Sequence, residues 1–252
     1  MKGKLYLMPN TLDFGVEGAA VDLQEVLPAQ VIRIAARLQF WAAENAKTTR
    51  AFLKRVDTVQ ALAQPLQAIQ ITELPRPPKG RVEAAPTQEW QRLLTPALDG
   101  HDIGLISEAG LPAIADPGAL LVAAAHAADI EVVPLSGPSS LLMALSASGL
   151  NGQSFAFVGY LPVEPQARTA RIRELETLSF KQQQTQLMIE TPYRNAALLQ
   201  ALLAALKPGT RLSVSCGLSM PQGFTRSATV AEWRASKTTL PDKIPAVFAI
   251  LG

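Results

Sequence analysis

Residues 103–150 read IGLISEAGLPAIADPGALLVAAAHAADIEVVPLSGPSSLLMALSASGL, and the order of apolar runs, loops and helix starts in them decides the fold. Ile103 to Ile106 is a short apolar run that stops at Ser107-Glu108-Ala109-Gly110, and a helix opens at Asp116-Pro117-Gly118. Ile130 to Leu135 is a second run; it ends in Ser136-Gly137-Pro138-Ser139-Ser140 and passes directly into another helix. Two strand–loop–helix units in succession imply parallel strands covered by helices. In open sheets of that kind, small ligands bind where strands end and helices begin. Hydroxyls, glycines and one carboxylate gather at those places here.

The same alternation extends in both directions. Leu5 to Met8 reads as a strand, followed by the loop Pro9-Asn10-Thr11-Leu12-Asp13-Phe14-Gly15. A helix is expected from about Val21 to Ala36, kinked or divided at Pro28. Leu38 to Ala43 is the next strand, ending at Glu44-Asn45-Ala46-Lys47, before a helix from Thr49 to Val56. From Gln64 to Pro86 the chain is rich in proline and polar residues, Pro75, Pro77 and Pro78 among them, and reads as a long surface excursion. Glu89 to Leu98 is a helix. After Gly149 come strands at Phe155–Val158, Leu187–Ile189, Leu212–Cys216 and Ala246–Leu251, with a turn-rich segment after Cys216. Helices are expected near Pro165–Leu178, from Thr191-Pro192 (a side-chain cap with proline at the first position) and near Val230–Ala235. The predicted architecture is α/β, in two domains of residues 1–150 and 151–252, with mainly parallel or mixed sheets.

Composition excludes several function classes. At 48% hydrophobic and 17% charged residues the chain suits a packed core and not disorder. No apolar run approaches the roughly 18 residues of a membrane span. Cys216 is alone, which removes an internal disulfide and a cysteine-based metal site, and His101 and His126 lack metal-ligand spacing, so no metal is expected. The N-terminus enters a strand at once, without the apolar core of a signal peptide, so a cytoplasmic protein is expected. A formal charge of +2 does not demand nucleic acid. The clusters Lys47, Arg50, Lys54, Arg55 and Arg168, Arg171, Arg173 match solvated helix faces, though Lys47 and Arg50 are also placed to position a phosphate. There is no GxGxxG after the first strand, no Walker loop and no Gly-x-Ser-x-Gly elbow, which weakens the nicotinamide, nucleotide triphosphate and hydrolase readings.

Three expected strands end in glutamate, at Glu44, Glu108 and Glu190, where a carboxylate can accept from ribose hydroxyls or attract a cationic group. The loop at Ser139 and Ser140 offers hydroxyls and free amides, or an ordinary helix cap. Asp116 reads as a cap for the helix that follows it.

The segments LYLMPNTLDFG, WAAENAKTTRAFL, ISEAGLPAIADPG, VVPLSGPSSLLMALSASGL, FVGYLP and IETPYRN, in this order, resemble the tetrapyrrole methylase superfamily. Within it the chain is most similar to the branch that methylates a ribose 2′-hydroxyl of small-subunit ribosomal RNA. The resemblance implies a methyltransferase using S-adenosylmethionine, with the cofactor in the cleft between two α/β domains, a homodimer, and RNA or the small ribosomal subunit as partner. Carried over residue by residue, it implies cofactor contacts at Ser107, Glu108, Ala109, Ser139, Ser140, Glu190, Pro245 and Ala246, with Pro9 toward substrate. Glu44 and Glu190 are candidate bases or further cofactor contacts. The chain departs from the branch in several places. Asn45-Ala46-Lys47 stands where Asp-Thr-Arg is usual, Glu108 stands for aspartate, and the first loop carries Thr11 and Asp13 in place of proline and glycine. Methylation of a tetrapyrrole carbon, and a cofactor-binding paralogue without catalysis, are the alternatives.

Overall fold

The runs LYLM and IGLI lie side by side and hold one another in register, Leu5 opposite Ile103 through Met8 opposite Ile106. The computed structural model describes residues 1–13, 21–75, 87–236 and 238–252; Phe14, Gly15, Pro77 and Pro78 from the sequence reading lie outside them. The chain divides into two units, Met1–Pro138 and Ser139–Gly252.

Among the described residues of the first unit, five parallel strands, β1 (Leu5–Met8), β2 (Phe40–Ala43), β3 (Gln70–Glu73), β4 (Ile103–Ile106) and β5 (Val132–Pro134), stand in the order β3-β2-β4-β1-β5. Helices α1 (Leu23–Val26), α2 (Ala29–Arg37) and α3 (Ala46–Val59) cover one face, where Val31, Ile32, Phe52 and Leu53 meet Trp41, Ala43 and Ile106. Helices α4 (Thr87–Arg92), α5 (Thr95–Leu98) and α6 (Ala119–Ala127) cover the other, with Trp90, Leu121 and Ala125 against Leu5, Ala42 and Leu105. Trp41 and Ala42 thus go to opposite faces, the period-two rule of a strand. Pro28 divides the expected helix as anticipated: α1 stops at Val26, and α2 starts just after the proline. Pro96 lies in the first turn of α5, and the single helix expected over Glu89–Leu98 is two. The surface excursion read from Gln64 contains β3, an edge strand so exposed and polar that no alternation marked it.

The second unit holds β6 (Phe155–Tyr160), β7 (Thr185–Ile189), β8 (Arg211–Cys216), β9 (Phe224–Thr229) and β10 (Ala246–Leu251) in the order β6-β7-β10-β8-β9. β6 and β7 run parallel, and the other pairings are antiparallel, so this sheet is mixed. β9 was read as turns, and its polar FTRSAT explains why. Helices α8 (Pro165–Gln182), α9 (Asn195–Ala205) and α10 (Val230–Ala235) bury Ile172, Leu198 and Trp233 against Met188, Phe248 and Cys216. Helix α7 (Ser140–Ser148) covers the other face, where Leu141, Ala144 and Leu145 pack on Leu187, Val247 and Ala249. That packing moves the division of the chain from the expected residue 150 back to Pro138: α7 belongs to the sheet it covers and not to the strand it follows. Among the described residues no helix is long and apolar enough to cross a membrane.

Candidate functional site

In the first sheet the chain leaves β2 for β3 on one side and leaves β4 for β5 on the other. Connections that diverge from neighbouring strands open a crevice at their carboxyl ends, the usual ligand position in an open α/β sheet. Glu44 follows β2, and Ser107 and Glu108 follow β4, so these residues line that switch point. A cavity of about 480 Å³ opens elsewhere, among Phe40, Gln70, Arg92 and His101 at the starts of the strands, and is no part of this site.

The crevice is built from interlocked loops. Asn10 donates its amide nitrogen to Gly110 O at 2.9 Å, and its Nδ2 donates to Ser107 O at 3.1 Å and Glu108 O at 3.0 Å. Pro9, expected to face substrate, is buried. A Cβ on Gly137 would sit 2.2 Å from Pro9 Cβ, so the proline ring fills the space that only glycine leaves. The two family departures in this loop form a set with a third residue. Thr11 Oγ1 donates to Asp13 Oδ1 at 2.9 Å, and Arg55 reaches from α3 to Asp13 Oδ2 at 3.0 Å and Val21 O at 2.6 Å. Arg55 therefore holds the first loop and is not the solvated residue expected from its cluster.

Glu44 is tied to the same framework. Its Oε2 accepts the backbone N–H of Glu108 at 3.0 Å, joining the ends of β2 and β4. Glu108 is partly exposed beside buried Ala109 and Gly110. Asp116 does not cap α6, contrary to expectation; Gly118 holds the cap position, without a side-chain hydrogen bond. Its carboxyl turns inward to the switch point, where burial and the charge of Glu44, with a smaller push from Glu108, raise it from 3.8 to about 7. The Ser107 hydroxyl leans toward it and opposes that rise, yet Ser107 Oγ is buried and closes no normal hydrogen bond among the described residues. Asn45, at a departure from the family, caps α3 through Lys47 N at 2.9 Å. Lys47 and Arg50 stand exposed on the first turns of that helix.

In the second unit Ser139 caps α7, accepting weakly from Leu142 N at 3.5 Å, with Ser140 at the first helical position. Glu190 is buried, and its Oε1 is committed: it accepts from Thr191 N at 2.7 Å and from Arg194 Nη2 at 2.7 Å. Thr191 does not cap the helix as expected; its hydroxyl serves Glu190 and Arg194, and a 3₁₀ turn precedes α9. Asn195 donates Nδ2 to Ile244 O at 2.9 Å, and Pro245 O accepts Gly217 N at 2.9 Å, so the approach to Ala246 is fixed from two sides.

The family model for Tetrapyrrole (Corrin/Porphyrin) Methylases matches residues 29–233. The chain belongs to this family. Curated relatives named ribosomal RNA small subunit methyltransferase I are similar over parts of the chain. The one from Vibrio cholerae is 41% identical over 119 residues, 47% of this chain and 40% of that protein. The one from Pseudomonas aeruginosa is 38% identical over 152 residues, 59% of this chain and 52% of that protein. The chain thus spans about half or less of the length of these relatives. Among solved structures, the uroporphyrin-III-C-methyltransferase from Thermus thermophilus superposes with a TM-score of 0.53 at 17% identity, covering 99% of this chain and 94% of that one. At that identity the likeness shows the methylase fold alone.

Asp116 and Arg55 are the two residues of this site that sequence reasoning assigned to other work. The signals were present in part: an aspartate between a small-residue loop and a helix, and an arginine in the last turns of α3. Neither states in sequence which way its side chain turns.

Proposed function

We propose that this protein is a methyltransferase that uses S-adenosylmethionine and acts on a ribose 2′-hydroxyl of small-subunit ribosomal RNA. The observation that carries this reading is the family match over residues 29–233, together with partial similarity to relatives named for methylation of that RNA. When bound, the cofactor supplies a methyl group activated on a positively charged sulfur.

The first unit suits such a ligand. Glu44 and Glu108 gather negative charge at the switch point, which attracts a cation. The Ser107 hydroxyl, which closes no normal hydrogen bond among the described residues, has a hydrogen bond to offer a polar ligand atom. Ser107, Glu108 and Ala109 would hold the cofactor, and Lys47 and Arg50 would hold a phosphate of the acceptor. Ser139, Ser140, Pro245 and Ala246 stay in the proposal as further cofactor contacts. What the protein adds to an already reactive methyl group is alignment and a proton acceptor.

The reading also includes a cytoplasmic homodimer. Calorimetric titration with S-adenosylmethionine, followed by labelled-methyl transfer to unmodified small-subunit ribosomal RNA, tests the function. Binding and incorporation into RNA are expected; absence of binding at millimolar cofactor refutes it. Sedimentation should give about twice the 26.9 kDa chain mass.

A further inference from the structure

We propose that Asp116 accepts the proton of the acceptor hydroxyl as that oxygen attacks the methyl carbon. The inference rests on the methyltransferase reading above and adds to it the residue that does the acid–base work.

Four observations place Asp116 in that role. It lies in the connection from β4 to α6, over the switch point between β2 and β4. Its neighbours there are Glu44 from the end of β2, and Ser107 and Glu108 from the end of β4. Ser107 is 3% exposed, and its hydroxyl, turned toward Asp116, closes no hydrogen bond of normal geometry among the described residues. A buried donor left open in this way is a place for a ligand atom. The backbone around Asp116 is also held in an unusual shape, with φ of 64° at both Ala113 and Ala115. Non-glycine residues rarely adopt that region, and such strain collects at functional sites.

The other candidate carboxylates are engaged. Glu44 Oε2 accepts the Glu108 amide, and Glu190 Oε1 is paired with Arg194. A carboxyl that titrates near 7 matches a proton acceptor working at neutral pH.

The step balances without another reactant. The hydroxyl O–H bond breaks and its proton passes to Asp116; the oxygen forms a bond to the methyl carbon. The carbon–sulfur bond breaks with its electron pair on sulfur, which becomes neutral. Asp116 later returns the proton to water.

Two measurements test this. The first needs no cofactor: carbon-13 NMR of the aspartate carboxyls in the whole protein, with Asp116 assigned by its loss in Asp116→Asn. A titration midpoint near 7 is expected, moving down in Glu44→Gln; a midpoint in the ordinary aspartate range overturns the proposal. The second follows single-turnover methyl transfer to unmodified small-subunit ribosomal RNA across pH. The wild-type rate should rise about tenfold per unit up to about pH 7 and then level. Asp116→Asn should lose about 10²–10⁴-fold in rate, together with that rise, while cofactor affinity stays within about threefold. An unchanged profile in the variant overturns the assignment of Asp116 alone, as does a rate loss fully explained by lost cofactor binding. A wild-type protein that binds no cofactor, or that binds it and transfers nothing, overturns the methyltransferase reading, and the assignment falls with it.

Discussion

Exchange of Asp116 for asparagine should make the folded chain more stable at alkaline pH. In the fold, burial first and the charges of Glu44 and Glu108 after it raise the Asp116 carboxyl from 3.8 to about 7. The unfolded chain releases that proton near the lower value. Between the two, the folded state keeps a proton that the unfolded state has lost, so stability falls as pH climbs from about 4 to about 7 and stays reduced above. A rise of about three units at about 1.4 kcal/mol each sets an upper bound of about 4 kcal/mol. Partial exposure of the carboxyl screens it, and about 2 kcal/mol is the expected cost. Asparagine does not ionise and escapes it. Urea denaturation at intervals from pH 4 to pH 8.5 should show the variant gaining on wild type by about 2 kcal/mol across that range, most of it by pH 7. Stability curves that run parallel over the whole range would refute the raised carboxyl and the reasoning built on it. A residue that costs stability where it is needed for chemistry is a familiar trade in enzymes.

Arg55→Ala should destabilise the first unit by about 3 kcal/mol in urea, since it leaves the buried Asp13 carboxylate without its 3.0 Å partner; a loss below about 0.5 kcal/mol would return Arg55 to the solvated helix face. Gly137→Ala should cost about 1–3 kcal/mol because the new methyl meets Pro9 Cβ at 2.2 Å, and Pro9→Gly in the same chain should recover part of the melting temperature. Glu108→Ala should weaken S-adenosylmethionine binding by about 1–3 kcal/mol in calorimetry with stability intact; unchanged affinity would mean that this side chain is merely solvated.

The elements with strong periodicity or punctuation were legible. The apolar runs at Leu5, Ile103 and Ala246 are buried strands, and Pro28 parts two helices because it lacks the amide a continuous helix requires. Glu44 and Glu108 fell at strand ends as read, since apolar runs end where the sheet does. Edge strands were not legible. β3 and β9 lie at the margins of their sheets with little buried surface, so their composition resembles a loop. The division of the chain was misplaced because α7 follows a strand of one sheet and covers another, and local sequence records only the first fact. Asp116 and Arg55 escaped for a related reason. A capping aspartate and an inward-turned one share the same neighbours in sequence; what separates them is Glu44, 72 positions away along the chain.

Both sheets take an inner strand from one end of the chain. β1, the first of these ten strands in sequence, lies between β4 and β5, and β10, the last of them, lies between β7 and β8. On a ribosome adding about 5–20 residues per second, Leu5–Met8 waits some 5–20 s for its partner Ile103–Ile106 to emerge. Until then an apolar segment has its hydrogen-bonding edges open. In the second unit the delay is reversed: β7 and β8 do not pair with each other, and each waits for β10 to come between them. β2 can pair with β3, β6 with β7 and β8 with β9 as they are made, but neither sheet is continuous until its inner strand meets its partners. Each closes in one late event, so folding should be slow and all-or-none within a unit, and a nascent chain released before β10 appears carries a finished first unit beside an unfinished second.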